Sequence, residues 1–365
     1  MLDQMPEVSA PPKNRRLRLS TPPARSRREF LQTSAALFSL GDGVVAAAAQ
    51  SASPKTQVFY DPAVLRHEPG SDHPESPKRL TSVMDAVRTL EGRNRVSVAT
   101  PTPATEAEIL LVHTPHYFDK VRAEIAAGQR TLSTGDTDLS PGSLTAALAA
   151  TGTVVSAVDA VMRNRASNAF CACRPPGHHA SQSRGMGFCL FNNIAIGARH
   201  ARLRYGVDRI LIVDWDVHHG NGTQEVFRSD GSVLFFDTHQ HPWYPGTGLS
   251  NETGEGKGLG LIMNRPFPAG AGRGEILGAM KEALVPAAAR FKPELVMISA
   301  GFDSRAGDPL GQFTLTDQDF ADLTDVVCAI ARDHAGGRLV SVLEGGYALD
   351  GLARAVAAHL SRLSS

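Results

Sequence analysis

Ile210-Leu211-Ile212-Val213-Asp214-Trp215-Asp216-Val217-His218-His219-Gly220-Asn221 decides how this chain is read. Its first four residues are uniformly apolar, as a strand buried on both faces of a parallel sheet requires. Two more carboxylates than an ordinary turn needs, two imidazoles and a Gly-Asn turn follow at once. Open α/β sheets keep their ligand sites at the carboxyl ends of strands, where these polar groups fall. Asp216 and His218 are two residues apart, so in extended chain they point the same way. A carboxylate and an imidazole on one side supply two of the three protein ligands of a catalytic zinc site.

The same pattern recurs outward from this stretch. Residues 168–173, 209–213, 232–236, 294–299 and 338–343 read as strands, and 145–163, 194–205, 275–291 and 317–334 as helices by apolar spacing at three and four. Gly336-Gly337 closes the last of these helices, as stop signals do. Strands alternating with helices predict an α/β fold, a mostly parallel sheet flanked by helices on both faces. Each strand runs into residues with chemical potential: Arg174-Pro175-Pro176-Gly177-His178-His179, the Asp/His cluster, Asp237-Thr238-His239, Ala300-Gly301-Phe302-Asp303 and Glu344-Gly345-Gly346-Tyr347. Five strand ends converging on one rim make a site.

Composition narrows the class. The 365 residues carry 37 Lys+Arg against 37 Asp+Glu, a balance that argues against nucleic acid as a bulk electrostatic partner. Seven of the basic residues (Lys13, Arg15, Arg16, Arg18, Arg25, Arg27, Arg28) lie at the start, and residues 1–49 hold four acidic ones. Without that segment the balance is 30 against 33. Ser26-Arg27-Arg28-Glu29-Phe30-Leu31 resembles the twin-arginine export signal, followed by a weakly apolar stretch ending in Ala47-Ala48-Ala49. Residues 1–52 are therefore expected to be an export leader with a periplasmic destination, a basic arm on a cytoplasmic enzyme being the alternative. The apolar stretch is too short and too interrupted to span a membrane. From about residue 56 to 365 the chain reads as one catalytic domain without repeats. Four cysteines with no Cys-x-x-Cys read as buried thiols, not zinc ligands.

With these segments aligned, the chain resembles the histone deacetylase and acetylpolyamine amidohydrolase superfamily, most closely its class II members. RPPGHH, DWDVHHGNG, AGFD and EGGY occur in that order, and the resemblance runs from Asp72-His73-Pro74-Glu75 to Tyr347. It implies an arginase-deacetylase fold, one catalytic Zn²⁺ and hydrolysis of acetyl-lysine-like amides. It also implies Asp216, His218 and Asp303 as zinc ligands, leaving positions open for water and the substrate carbonyl. Two carboxylates against one imidazole make the site oxygen-rich, so iron or cobalt can compete with zinc.

The remaining roles are carried by the same resemblance. His178 and His179 match the tandem histidine pair, with Asp214 and Asn221 as their respective partners. An ionised partner holds its imidazole in the charged form more firmly than a neutral amide does. His179 is therefore expected to be the general base and acid, and His178 the electrostatic member. Tyr347 matches the catalytic tyrosine that donates to the developing oxyanion. Phe188, after Gly187, and Tyr244 match the two aromatics that wall an acyl-lysine tunnel, although many relatives have Phe where Tyr244 stands. Leu310 takes the place of a glutamate found in polyamine-selective relatives. Asp136 and Asp138 are candidates for binding a substrate backbone or cation, and Arg79 resembles an inner-cavity arginine linked to acetate exit. Relatives also hold K⁺ near the positions of Asp214 and Asp237.

The substrate expected is thus an N-acyl amine or acyl-lysine, with an acetylpolyamine as the second enzymatic reading. A non-catalytic acyl-lysine-binding protein is a third, opposed by Tyr347 and both histidines. An arginase-type manganese enzyme shares the fold but needs bridging carboxylates where His219-Gly220 stands. Oligomeric state, a homo-oligomer included, stays open at this point.

Overall fold

The computed structural model describes residues 56–365; the leader expected over 1–52 lies outside the described residues. Eight strands form one sheet: β1 (Thr56–Phe59), β2 (Val96–Ala99), β3 (Asn168–Cys171), β4 (Ile210–Asp214), β5 (Val233–Gln240), β6 (Ile262–Phe267), β7 (Leu295–Ala300) and β8 (Leu339–Leu343). Their order is β2-β1-β3-β8-β7-β4-β5-β6, and every pairing is parallel. The expected mostly parallel sheet is therefore parallel throughout.

Burial explains the composition of the central strands. Every residue of β4, β5, β7 and β8 is buried, since helices cover both faces. The helix Ser143–Met162 is the most apolar of them, and it is long enough to cross a membrane by length and composition. Most of it is buried inside the protein, as a core helix is.

The strand order also places the site. After β3 the chain jumps across the gap later filled by β8 and β7 before it lays down β4. Such a change of winding opens a crevice at the carboxyl ends of the strands. The strands whose ends carry His178-His179, Glu344–Tyr347, Asp303 and Asp216–His218 are consecutive neighbours, β3-β8-β7-β4, and β5 beside them holds Asp237 within the strand, which runs on to Gln240 instead of stopping at 236.

Three strands escape the periodicity argument. β1 and β2 have four residues each, too few for a clear pattern. β6 forms the sheet edge and carries Asn264, Arg265 and Pro266, which suits a position where one side of the ladder is unpaired. The helix expected over 275–291 runs from Arg273 to Phe291 but widens into a π-turn at Met280–Leu284. Pro286 has no N–H to return to the preceding turn and its ring crowds the carbonyl there, so the turn opens.

Candidate active site and metal centre

The chain leaves the sheet after Asp214 and bends. It does not continue as extended strand, so Asp216 and His218 do not share a side by pleating. Asp216 Oδ1 accepts the backbone N–H of His218 at 2.9 Å and faces its Nδ1 at 3.0 Å. A carboxylate bonding the N–H two residues on closes a small turn of its own, which aims both side chains at one point. Asp303, just beyond β7, brings Oδ2 to 3.3 Å from His218 Nδ1. Ligand atoms of Asp216, His218 and Asp303 lie within 4.8 Å of one another, all buried.

The electrostatics of this cluster fit a divalent cation. Asp303 Oδ1 accepts from the Val217 N–H at 2.9 Å, yet its Oδ2 is buried with no hydrogen-bond partner. Burial, followed by the Asp216 charge, pushes the Asp303 carboxyl up to about 7. Burial alone would lower His218, but the neighbouring Asp216 and Asp303 carboxylates push it up to about 10. A pocket that draws protons this strongly has surplus negative charge, and an orphan oxygen beside an imidazole nitrogen is a ready ligand pair.

The tandem histidines stand over this cluster. The turn at Gly177 and His178 is held by the buried Glu344 carboxylate, which accepts both backbone N–H groups at 2.6 and 3.2 Å. His178 Nδ1 meets Asp214 Oδ2 at 3.0 Å, and His179 Nδ1 meets Asn221 Oδ1 at 2.7 Å. Burial disfavours charge on both rings, but Asp216 and Asp214 outweigh it at His178 and hold that ring well above its ordinary value. At His179 burial is reinforced by the His178 and His218 charges and the ring is held well below. The two imidazoles, 4.0 Å apart by ring centroids, are thus pushed in opposite directions, His178 towards its charged form and His179 towards its neutral one.

The segment after β8 touches every part of the site. Gly345 donates its N–H to Asp216 Oδ2 at 2.8 Å, and any side chain there would overlap the carboxylates of Asp303 and Asp216. Arg79, fully buried, donates to the carbonyls of Gly346 and Glu344 at 2.6 and 2.5 Å. It also lies 4.8 Å from the Tyr347 ring centroid and pairs with Glu75 at 3.1 Å. Arg79 is thus placed behind the Tyr347 loop, not among the residues lining the cavity. Burial keeps the Tyr347 phenol well above its ordinary value, so it stays a donor.

A cavity of about 260 Å³ opens over these groups, lined by Asp136, His179, Gly187, Phe188, His218, Trp243, Tyr244, Leu310 and Tyr347. Phe188 sits edge-on to Tyr347 at 5.9 Å and Tyr244 edge-on to His179 at 5.2 Å. Asp136 ties the walls together, since its Oδ1 accepts from the Gly187 N–H at 2.8 Å and the Tyr244 hydroxyl at 3.3 Å. Asp138 is turned into its own loop, accepting the Thr131 hydroxyl at 2.9 Å, and does not line the cavity. The carboxylates of Asp214 and Asp237 are committed to protein donors: Asp237 takes the Gly220 N–H at 2.8 Å and faces His239 Nδ1 at 2.7 Å. All four cysteines are free thiols; Cys171, Cys173 and Cys189 are buried as expected, whereas Cys328 is only half-buried.

Sequence reasoning assigned no role to Glu344, Asp308 or Trp243. A glutamate closing an otherwise apolar strand was the available signal for the first. Asp308 lies in Gly307-Asp308-Pro309, which reads as a plain turn.

Comparison with known proteins identifies the family. The histone deacetylase domain model matches residues 73–363. A probable deacetylase of Archaeoglobus fulgidus is 40% identical over 299 residues, covering 81% of this chain and 82% of that protein. A histone deacetylase-like amidohydrolase of Pseudomonas aeruginosa is 39% identical, covering 78% and 74% respectively. The polyamine deacetylase HDAC10 of Homo sapiens is 41% identical, over 77% of this chain but 43% of its own length. Among solved structures the HDA15 HD domain aligns with a TM-score of 0.80 at 35% identity, covering 86% of this chain and 89% of that one. The parallel eight-stranded sheet is that of the arginase-deacetylase fold, and the chain belongs to the histone deacetylase family.

Proposed function

We propose that the protein is a zinc-dependent amidohydrolase that removes acetyl or other short acyl groups from acyl-lysine or similar N-acyl amines. The convergence of Asp216, His218 and Asp303 at the floor of a narrow aromatic-walled cavity carries this reading. Held by those three residues, zinc supplies Lewis-acid polarisation of the amide carbonyl and a lowered pKa for the attacking water.

The chain's own residues do the rest. Phe188 and Tyr244 hold a linear methylene chain between two flat faces and keep solvent off it. His179, neutral and anchored through Nδ1 by Asn221, presents Nε2 to take the water proton and later deliver it to the departing amine. His178, held towards its charged form by Asp216 and Asp214, opposes the negative charge that builds on the carbonyl oxygen. Tyr347 donates its hydroxyl to that same oxygen, a contribution of about 3–4 kcal/mol to the barrier.

His178→Ala and His179→Ala separate the two imidazoles. The second is expected to abolish turnover and the first to slow it; the reverse order would overturn the assignment. Purified zinc-loaded protein assayed on an acetyl-lysine peptide, acetylputrescine and acetylspermine tests the substrate class. An acetylpolyamine reading draws support from the exposed Asp136 carboxylate at the mouth, whereas the apolar Leu310 opposes it. A higher kcat/KM for acetylspermine would transfer the assignment to polyamines. Export through the twin-arginine sequence is a separate proposal: replacing Arg27 and Arg28 by Lys should leave the protein in the cytoplasmic fraction.

A further inference from the structure

One buried carboxylate joins the rim of the cavity to its catalytic phenol. Asp308 is 8% exposed and lies on the loop between Asp303 and Leu310. Its Oδ1 accepts the Leu310 N–H at 2.9 Å. Its Oδ2 accepts the N–H groups of Tyr347 at 2.7 Å and Ala348 at 3.1 Å. The Leu310 carbonyl in turn accepts the indole N–H of Trp243 at 2.8 Å. Trp243 is 37% exposed at the mouth. A path of contacts therefore runs from an exposed indole to the Leu310 carbonyl, along the Leu310 backbone to its N–H, and through one planar carboxylate to the backbone of Tyr347.

The Tyr347 loop needs such a hold. Tyr347 follows Gly346, whose φ of 121° belongs to a conformation side chains rarely adopt, and precedes the helix Leu349–Leu363. No strand ladder sets its N–H, and Asp308 takes that role. A carboxylate cannot move one oxygen without the other, so a shift of the Leu310 N–H is passed to Tyr347.

Resting on the deacylase reading above, we propose that Asp308 is a positioning residue for Tyr347. Through Leu310 and Trp243 it makes the phenol's placement depend on what fills the mouth. The favoured substrate is then one with a body outside the tunnel to rest on Trp243 and Leu310, a peptide-borne acyl-lysine more than a short free acyl amine. Binding energy gained away from the reacting bond is converted into alignment at it.

The plain alternative is that Asp308 only caps the helix that follows. Kinetics on the zinc-loaded full chain separate the two, using N-acetyl-n-butylamine and a tripeptide with central acetyl-lysine, which share the same acylated chain. Asp308→Asn keeps one acceptor oxygen but sets an amide NH₂ against a backbone N–H. It is expected to lower kcat by about tenfold or more, as small misplacements do, with KM changed less than about threefold, and to erase the peptide's advantage in kcat. Trp243→Phe keeps an aromatic ring but loses the N–H, and should cut the peptide's kcat more than the butylamine's. Amide hydrogen exchange across residues 345–349 gives a reading independent of turnover, with protection of Tyr347 and Ala348 falling in Asp308→Asn. An intact peptide advantage in both variants, or unchanged protection in Asp308→Asn, overturns the proposal. Should wild type hydrolyse neither substrate, the deacylase reading fails, and exchange at Tyr347 still judges the positioning claim.

Discussion

The floor of the site and its mouth are built on different principles. The floor is set by the sheet: β4 and β7 pair with Asp214 opposite Ser299, so Asp216 and Asp303 leave adjacent strands side by side. Backbone donors from Val217, His218 and Gly345 then fix the oxygens of these two carboxylates. The mouth is set by loops carrying Asp136, Phe188, Trp243 and Tyr244, and Leu310. Bonds between one loop and another hold these, among them those from Gly187, Tyr244 and Trp243. The contrast separates chemistry from choice of substrate. Changes at the floor should remove activity on every substrate, and changes at the mouth should redistribute it.

Asp303→Ala tests the floor hardest. It removes the proposed ligand with an orphaned buried oxygen, and the expected loss of kcat is at least about a thousandfold, as for a member of a catalytic set. Zinc content after dialysis should fall with it. A variant that keeps both metal and rate would show that these three side chains do not form the centre.

Tyr347→Phe probes the boundary between the regions, since that ring lines the cavity while its backbone belongs to the floor. A loss of about 10²–10³ in kcat is expected for removing one oxyanion donor, with zinc content unchanged. Retention of rate with normal zinc would remove the phenol from the mechanism.

The same contrast governs how much the sequence discloses. The ligand residues and tandem histidines stand at the ends of uniformly apolar strands, and a parallel sheet buried on both faces leaves little freedom in where those ends go. The strand ends at His178, Asp216, Asp303 and Tyr347 could therefore be grouped before any coordinates. Short edge strands carry little burial, so β2 and β6 left weak patterns. Asp138 looked as able to bind a substrate as Asp136, because nothing in the spacing shows which carboxylate turns back onto Thr131. Asp308 was invisible for a related reason: its partners, Leu310, Tyr347 and Ala348, are backbone N–H groups, which every residue has.

Beneath the floor, His359 offers a pH test of how firmly the sheet end is held. Its ring lies 5.6 Å from Trp215 and 5.9 Å from Phe302, the neighbours of Asp216 and Asp303. Thr324 and Ser341 face its two nitrogens at 2.6 and 2.9 Å. Burial pushes this imidazole down to about 3 from an ordinary value of 6.5. The unfolded chain takes up a proton below pH 6.5 that the folded chain refuses, so stability present above 6.5 is lost as pH falls towards 3. The cost approaches about 1.4 kcal/mol per pH unit. His67 and His113, pushed down to about 4 by burial first, act in the same direction. Urea unfolding at pH 7, 6 and 5 should show His359→Gln with a shallower slope than wild type by one histidine's share. Equal slopes would mean that His359 is not held neutral in the fold.

The smallest expected effect belongs to the mouth. Leu310 is half-buried at the rim, with its backbone fixed at both ends by Asp308 and Trp243, so a longer polar side chain there can reach outward without moving the loop. Leu310→Glu adds a second carboxylate to a rim that already has Asp136. A substrate with a further ammonium along its chain gains a partially solvated ion pair, worth up to about 1 kcal/mol, which is roughly fivefold in kcat/KM. The ratio of acetylspermine to acetyl-lysine peptide should rise by about that factor, with kcat on the peptide little altered. A tenfold loss on both substrates would instead place Leu310 with the floor, and the division drawn between the two regions would fail at that residue.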